Sequence, residues 1–251
     1  LNNQPWHVRF SELGWFGEMQ RLCLMVVGVG AVGHQVARMA ASSGAGRLVL
    51  FDNDIVAPEN VGPQMWRPQD VGERKVDVAG REASELSGGE CGVVLFPRRA
   101  VSRDIGEVLV MARESEQRFA LMLCVDSLDV RRRFWQWWKK QPEKRLQRVE
   151  AIYVDVRMGA EVCECYSVVG KPEREAAAVM DESLDGEAAP LPCTMKATAY
   201  CSGVAAGLGM AALTRALRGL PPVRGVALDL VGFSMRRVER WATEGNNERS
   251  G

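Results

Sequence analysis

The feature that most constrains this chain is Gly28-Val-Gly-Ala-Val-Gly33, because of what lies on either side of it. Before it, Leu22, Leu24, Met25, Val26 and Val27 form a short, nearly continuous apolar run, the pattern of a strand covered on both faces. After it, residues 31–43 have helical character. Gly44 and Gly46 end that helix, and Arg47-Leu-Val-Leu-Phe51 resumes as a second apolar strand closing at Asp52. A strand, a glycine turn, a helix and a second strand make a βαβ unit, which buries its apolar faces only in a layered α/β fold.

The same alternation continues. Residues 93–96, 120–125 and 151–156 read as strands, and residues 75–86, 105–116 and 129–141 as helices. The expected architecture is therefore a Rossmann-like α/β fold, a mostly parallel sheet with helices on both faces. Residues 161–169 read as an extended, antiparallel segment, 197–217 as a buried helix and 223–233 as two short strands. The acidic stretch 171–192, with its alanine run, Gly186, Pro190 and Pro192, reads as a long flexible loop. Residues 1–20, with Trp6, Phe10, Trp15 and Phe16, read as an arm lying on the domain formed by 21–243, and 244–251 as a fraying polar tail.

Charge and composition exclude several classes. The 32 basic residues balance the 32 acidic ones, so no global field draws the chain to nucleic acid or to an anionic membrane. The apolar stretch 197–217 is broken by Tyr200, Ser202, Thr214 and Arg215 and falls short of a membrane span. Seven cysteines, an odd number in a chain too large to need staples, without a leader pattern, point to a reducing cytoplasm.

A glycine turn that opens a helix is a place for phosphate, since free N–H groups and the helix dipole face the anion there. Asp52 ends the next strand, where a carboxylate accepts hydrogen bonds from ribose hydroxyls. Together they indicate an adenine nucleotide, and by themselves they fit NAD as well as ATP. The same glycines could also do no more than pack helix on strand.

The run that follows bears on that choice: Asp52-Asn-Asp54, Ile55-Val56, Glu59-Asn60, Gln64, Asp70-Val-Gly72-Glu-Arg-Lys75 and, further on, Leu123-Cys-Val-Asp126. In order and spacing this resembles the ThiF/MoeB, ubiquitin-activating family of adenylyltransferases. The resemblance implies ATP and Mg²⁺ as ligands, with Gly28, Gly30 and Gly33 around the phosphates and Asp52 on the ribose. It implies nucleotide contacts from Asn60, Gln64 and Lys75, and Mg²⁺ held by Asp126 with help from Asp54. It also implies a ubiquitin-like or sulfur-carrier protein as partner, and a homodimer. The chemistry suits those residue types independently: an ionised carboxylate attacking a phosphate needs cations and a metal, and no general base. His7 and His34, the two histidines, form no triad, and His34 reads as a helix-facing residue.

The chain departs from the family pattern at one arginine, whose place in Asn-x-x-Arg-Gln is taken by Pro63. Arg67 is a candidate substitute, and Arg9 or Arg21 would be the arm arginine that the family supplies across its dimer. Leu191-Pro-Cys-Thr resembles the segment whose cysteine takes the activated modifier as a thioester, which makes Cys193 a candidate nucleophile beside its plain reading as a small residue at a helix start. Structural zinc is not expected, since no Cys-x-x-Cys pair is present; Cys23, Cys91 and Cys124 read as packing. Phe134, Trp137 and Trp138 fall on one helical stripe, the mark of a core or a subunit interface. Two rival readings remain: a non-catalytic nucleotide-binding partner subunit, and an NAD-dependent oxidoreductase, which would leave Lys75 and Asp126 without a task.

Overall fold

The computed structural model describes residues 7–185 and 198–238. The chain forms one eight-stranded sheet in the order β3-β2-β1-β4-β5-β6-β7-β8. Strands β1 (Leu22–Val27), β2 (Arg47–Phe51), β3 (Gly92–Phe96), β4 (Arg118–Leu123) and β5 (Ile152–Gly159) are parallel. Strands β6 (Val162–Val169), β7 (Val226–Asp229) and β8 (Ser234–Arg237) continue it antiparallel. The helices are α1 (Phe16–Gln20), α2 (Ala31–Ser42), α3 (Lys75–Leu86), α4 (Ser102–Glu114), α5 (Leu128–Lys140), α6 (Glu143–Gln147), α7 (Arg174–Leu184) and α8 (Ala199–Leu217).

Strand β1 shows why a continuous apolar run is required at the centre. Leu22, Leu24 and Val26 point into a core shared with α2, α3 and α8. Cys23, Met25 and Val27 point into a second core, on the opposite face, shared with α4, α5 and α7. A polar side chain at any of the six positions would lose its water without gaining a partner. The expected Rossmann-like sheet with helices on both faces is what the chain forms. In α8, a Cβ on Gly209 would come within 2.6 Å of the Val156 side chain, so glycine there lets the helix lie close on β5. Among the described residues no helix is long and apolar enough to cross a membrane.

Two sequence expectations are corrected. Within the stretch 171–192, residues Arg174–Leu184 form α7 and not a loop. Ala176, Val179, Met180 and Leu184 recur at helical spacing and are buried, with α7 packed against α5, so tertiary burial overrides the acidic, loop-like composition. The tryptophan stripe is also placed differently. Trp135 joins Phe134 and Trp138 in the core, while Trp137 stays partly exposed. Each buried indole N–H finds an acceptor: Trp135 donates to Asp181 Oδ1 at 2.8 Å and Trp138 to the Gly170 carbonyl at 3.0 Å. The expected arm is anchored through α1, whose Phe16 and Met19 are buried. The expected tail, 244–251, lies outside the described residues.

Among the described residues nothing pairs with the far edge of the sheet. All four residues of β8 are exposed, and in the preceding turn Phe233, at φ 47°, is 95% exposed.

Candidate functional site

The order β2-β1-β4 makes the chain cross over β1 in opposite directions, so the C-terminal ends of β1 and β4 border the crevice at which open α/β sheets bind ligands. The glycine loop follows β1 directly. Its first residue, Gly28, has φ 86°, and a Cβ there would stand 2.9 Å from the carbonyl oxygen of Cys124 after β4. A Cβ on Gly33 would lie 1.8 Å from the Gly28 carbonyl oxygen, so α2 can start this close to the loop only on glycine. Gly30 is different: a Cβ there would meet nothing within 4 Å. Two glycines thus serve the packing of the loop, and the third faces open space at the N-terminus of α2, where a phosphate could approach the backbone.

Asp52 stands at the end of β2 and ties the loop to its neighbour. Its Oδ2 accepts the Val29 N–H at 2.6 Å and its Oδ1 accepts the Asp54 N–H at 2.8 Å. Lys75, the first residue of α3, donates from its backbone N–H to the Asp54 carbonyl at 3.0 Å and from Nζ to Asp54 Oδ2 at 3.2 Å. The lysine side chain is 7% exposed and that of Asp54 is 55% exposed. A nearly buried ammonium is therefore offset by a carboxylate that can leave for solvent. The loop, Asp52, Asp54 and Lys75 thus form one connected cluster.

Asn60 and Gln64 lie on the segment between β2 and α3, Asn60 closing a short 3-10 turn over Pro58–Asn60 and Gln64 following it. Asn60 Oδ1 accepts the Ala57 N–H at 3.1 Å, the Gln64 N–H donates to the Asn60 carbonyl at 3.0 Å, and Gln64 Oε1 accepts the Trp66 Nε1–H at 3.0 Å. Arg67 does not stand free. Its Nε donates to Asp70 Oδ2 at 3.2 Å and its Nη2 pairs with Glu82 Oε1 at 3.2 Å, so here the expected substitute for a phosphate-binding arginine serves two carboxylates. In the arm, Arg9 is exposed and Arg21 pairs with Glu18 at 3.6 Å.

Asp126 is exposed in the turn that joins β4 to α5, just after Cys124, whose N–H donates to the Val27 carbonyl at 2.9 Å. That turn rests on residues the sequence reading did not single out. Arg131 of α5 is buried, donates to the carbonyls of Val125 and Val156, and is ion-paired with Asp155 of β5. Arg157 donates to the other Asp155 oxygen from Nε at 3.0 Å and from Nη2 at 2.8 Å. Burial, reinforced by the charge of Arg157, lowers the Arg131 guanidinium to about 10. The visible signal was a charged residue, Asp155, inside the apolar run of β5.

Among the described residues no group of three or more His, Cys, Asp or Glu side chains is arranged to hold a metal. Two carboxylates with phosphate oxygens are, however, an ordinary donor set for Mg²⁺, and Asp54 and Asp126 are both exposed at this end of the sheet. The described cysteines are free and poorly suited to act as thiolates. Burial pushes Cys23 and Cys91 up to about 11, and Cys124 and Cys165 up to about 12. Cys193 lies outside the described residues. A cavity of about 320 Å³, whose lining includes Leu208, Ala212, Arg215 and Val226, shares no residue with the glycine-loop site.

Comparison with known proteins agrees with this geometry. The family model described as ThiF family matches residues 16–248. The chain is 33% identical over 72 residues to ubiquitin-like modifier-activating enzyme 5 of Arabidopsis thaliana, covering 29% of this chain and 17% of that protein. It is 39% identical over 72 residues to the protein of that name from Caenorhabditis elegans, covering 28% of this chain and 17% of that one. The aligned stretches are thus under a fifth of those relatives' length. Among solved structures, Escherichia coli MccB with ATP superposes with a TM-score of 0.63 at 16% identity, over 96% of this chain and 74% of that one. PaaA superposes with a TM-score of 0.63 at 17% identity, over 90% and 66%. At such identities the likeness is one of fold.

Proposed function

The chain belongs to the ThiF family, and from that membership we propose that it is an ATP-dependent adenylyltransferase acting on the C-terminal carboxylate of a ubiquitin-like or sulfur-carrier protein. The observation that carries the reading is the cluster at the crossover of the sheet: an open glycine at a helix N-terminus, a carboxylate at the end of β2, and a nearly buried lysine beside them.

In this reading the Gly30 backbone and the first turn of α2 receive the phosphates, and Asp52 receives the ribose. Lys75 exchanges Asp54 for phosphate oxygens, and the exchange is easy because Asp54 is solvated. The substrate carboxylate attacks the α-phosphorus, the bond to pyrophosphate breaks, and an acyl adenylate results. No proton has to move, so the absence of a histidine from the cluster is no obstacle. Asp126, with Asp54, would hold Mg²⁺, whose charge offsets that of the phosphates. Arg131 keeps the Asp126 turn in place from below. A homodimer supplying Arg9 or Arg21 across its seam, and onward transfer of the acyl group to Cys193, belong to the same proposal.

One observation favours a second reading. Pro63 replaces the arginine of the family pattern and Arg67 is engaged by Asp70 and Glu82, which suits a subunit that binds nucleotide without turning it over. Pyrophosphate exchange with carrier proteins ending in Gly-Gly, together with calorimetry, separates the two. The enzyme reading expects Mg²⁺-dependent exchange that falls by about 10²- to 10³-fold in Lys75→Ala and Asp126→Asn, the usual loss of one charge-stabilising group. In Cys193→Ala it expects exchange to persist while a thiol-cleavable adduct is lost. ATP binding without exchange would select the silent subunit. No affinity for ATP, or affinity for NAD in its place, would defeat both.

A further inference from the structure

His34 follows Gly33 in the first turn of α2 and is fully buried. Its Nδ1 lies 3.0 Å from the carbonyl oxygen of Gln64, and its Nε2 lies 2.7 Å from Glu82 Oε2. A carbonyl oxygen can only accept, and so can an ionised carboxylate. Burial pushes the Glu82 carboxyl up, but the His34 hydrogen bond and the charges of His34, Arg38 and Arg67 outweigh it and hold the group below its usual range. With an acceptor at each ring nitrogen, the geometry places His34 to donate in both directions. Its face is stacked on the Trp66 indole, 3.7 Å between ring centres and 12° from parallel, an arrangement that favours a cation.

The segment this ring touches is strained. Met65, between Gln64 and Trp66, has φ 59°, a left-handed conformation for a residue with a side chain. Such strain persists where the surroundings over-determine it. Here the Gln64 carbonyl is turned to one ring nitrogen of His34 and the Trp66 indole is laid on its face, one residue to each side of the kink. The charged groups around the pair are Glu82 from α3, Arg67 from the segment and Arg38 from α2 itself, at 3.9 Å from Glu82. Strand β1 carries no charged residue, and α8 carries only Arg215, in its last turn.

We propose that His34 is a positioning residue: as an imidazolium bridging the Gln64 carbonyl and Glu82, it clamps the Asn60-to-Arg67 segment onto the helix that begins at the phosphate loop. The inference rests on the nucleotide-site reading for its consequence, since Asn60 and Gln64 lie on the clamped segment. It rests on the geometry of His34 alone for its cause.

The experiment uses the whole chain. With ¹⁵N in the histidine rings only two imidazoles report, and His7→Gln assigns them. Both ring N–H protons of His34 should be present and slow to exchange with water; one bare ring nitrogen would overturn the proposal without any variant at the site. In His34→Gln, amide hydrogen exchange across residues 60–67 should quicken by about tenfold, the scale of one lost charge-assisted hydrogen bond, with β1 and β4 unchanged. Glu82→Gln, which keeps an acceptor and removes the charge, should fall between. The KM for ATP should rise in His34→Gln by more than kcat falls. Unchanged exchange across 60–67, or loss spread evenly over the fold, counts against the clamp. If the wild-type chain has no affinity for ATP, the functional reading fails, while the ring protons and the exchange pattern still decide the clamp.

Discussion

Gly30 and Gly33 sit three residues apart, and their surroundings make opposite demands, so the pair tests the phosphate loop more sharply than either alone. An alanine Cβ at 33 would be 1.8 Å from the Gly28 carbonyl oxygen, against the 3.4 Å or more of an ordinary contact. About 1.6 Å of separation must therefore be opened between backbone and backbone, where no flexible side chain can yield. Overpacking of that kind costs about 3 kcal/mol or more, and at about 2–4 °C per kcal/mol for a domain of this size the melting temperature of Gly33→Ala should drop by about 6–12 °C. At 30 the added methyl meets nothing within 4 Å, so Gly30→Ala should lose no more than about 1 kcal/mol, the cost of alanine at a helix start. In the proposed reading, that methyl nevertheless fills the space through which a phosphate would approach. Affinity for ATP with Mg²⁺ should fall by at least about tenfold, or 1.4 kcal/mol, with the fold intact. Calorimetric titration and a thermal melt on the same samples read both quantities. Gly30→Ala binding within about threefold of wild type would refute the placing of phosphate at that glycine. Gly33→Ala melting like the wild type would refute the contact geometry of the loop.

Two further outcomes concern stability. Asp155 is fully buried between Arg131 and Arg157, so Asp155→Asn leaves buried guanidinium groups without their counter-charge and should cost about 3–5 kcal/mol in urea unfolding; a loss below about 1 kcal/mol would show that water or other acceptors replace it. Asp104 is buried at the start of α4, where burial pushes its carboxyl up but two hydrogen bonds from Arg98, at 2.9 and 2.8 Å, and one from the Val101 N–H outweigh that and hold it below the usual range. A carboxyl lowered on folding contributes stability that is complete above its unfolded value of about 3.9 and disappears as pH falls through the folded one. Asp104→Asn should accordingly be less stable at neutral pH and flatten the acid limb of the stability curve, and an acid limb parallel to wild type would remove Asp104 as its source.

How far the sequence foretold this depended on how local each feature was. The β1-α2-β2 unit with its glycines could be read directly, because strand, turn and helix each announce themselves within a few residues. Asp52, Asp54 and Lys75 could be placed because they close or open those elements. Helix α7 was obscured because its buried positions are diluted by Glu175, Asp181 and Glu182, and because Gly186 and Pro190 follow closely. Helix α6, of five residues, is too short to show a period. The partners of Arg67 were half legible: Asp70 is three residues away, but Glu82 arrives only when α3 folds back. The same holds for His34, whose burial could be guessed from its place on α2, while Gln64 and Glu82 come from elsewhere in the chain. Arg131, Asp155 and Arg157 meet across α5 and β5, and nothing in their spacing declares it.

The edge at β8, unpaired among the described residues, has a consequence for handling the protein. Val231, Phe233 and Met235 are bare beside the last strand, which offers one row of amides and carbonyls to any extended chain that drifts alongside. Arg236 and Arg237 are the gatekeepers of that row, since two like charges brought against a second copy repel it. Colloidal behaviour should therefore hang on two guanidinium groups at the other end of the strand order from the glycine loop: neutralising them would make concentrated solutions prone to edge-to-edge stacking with the glycine-loop geometry untouched.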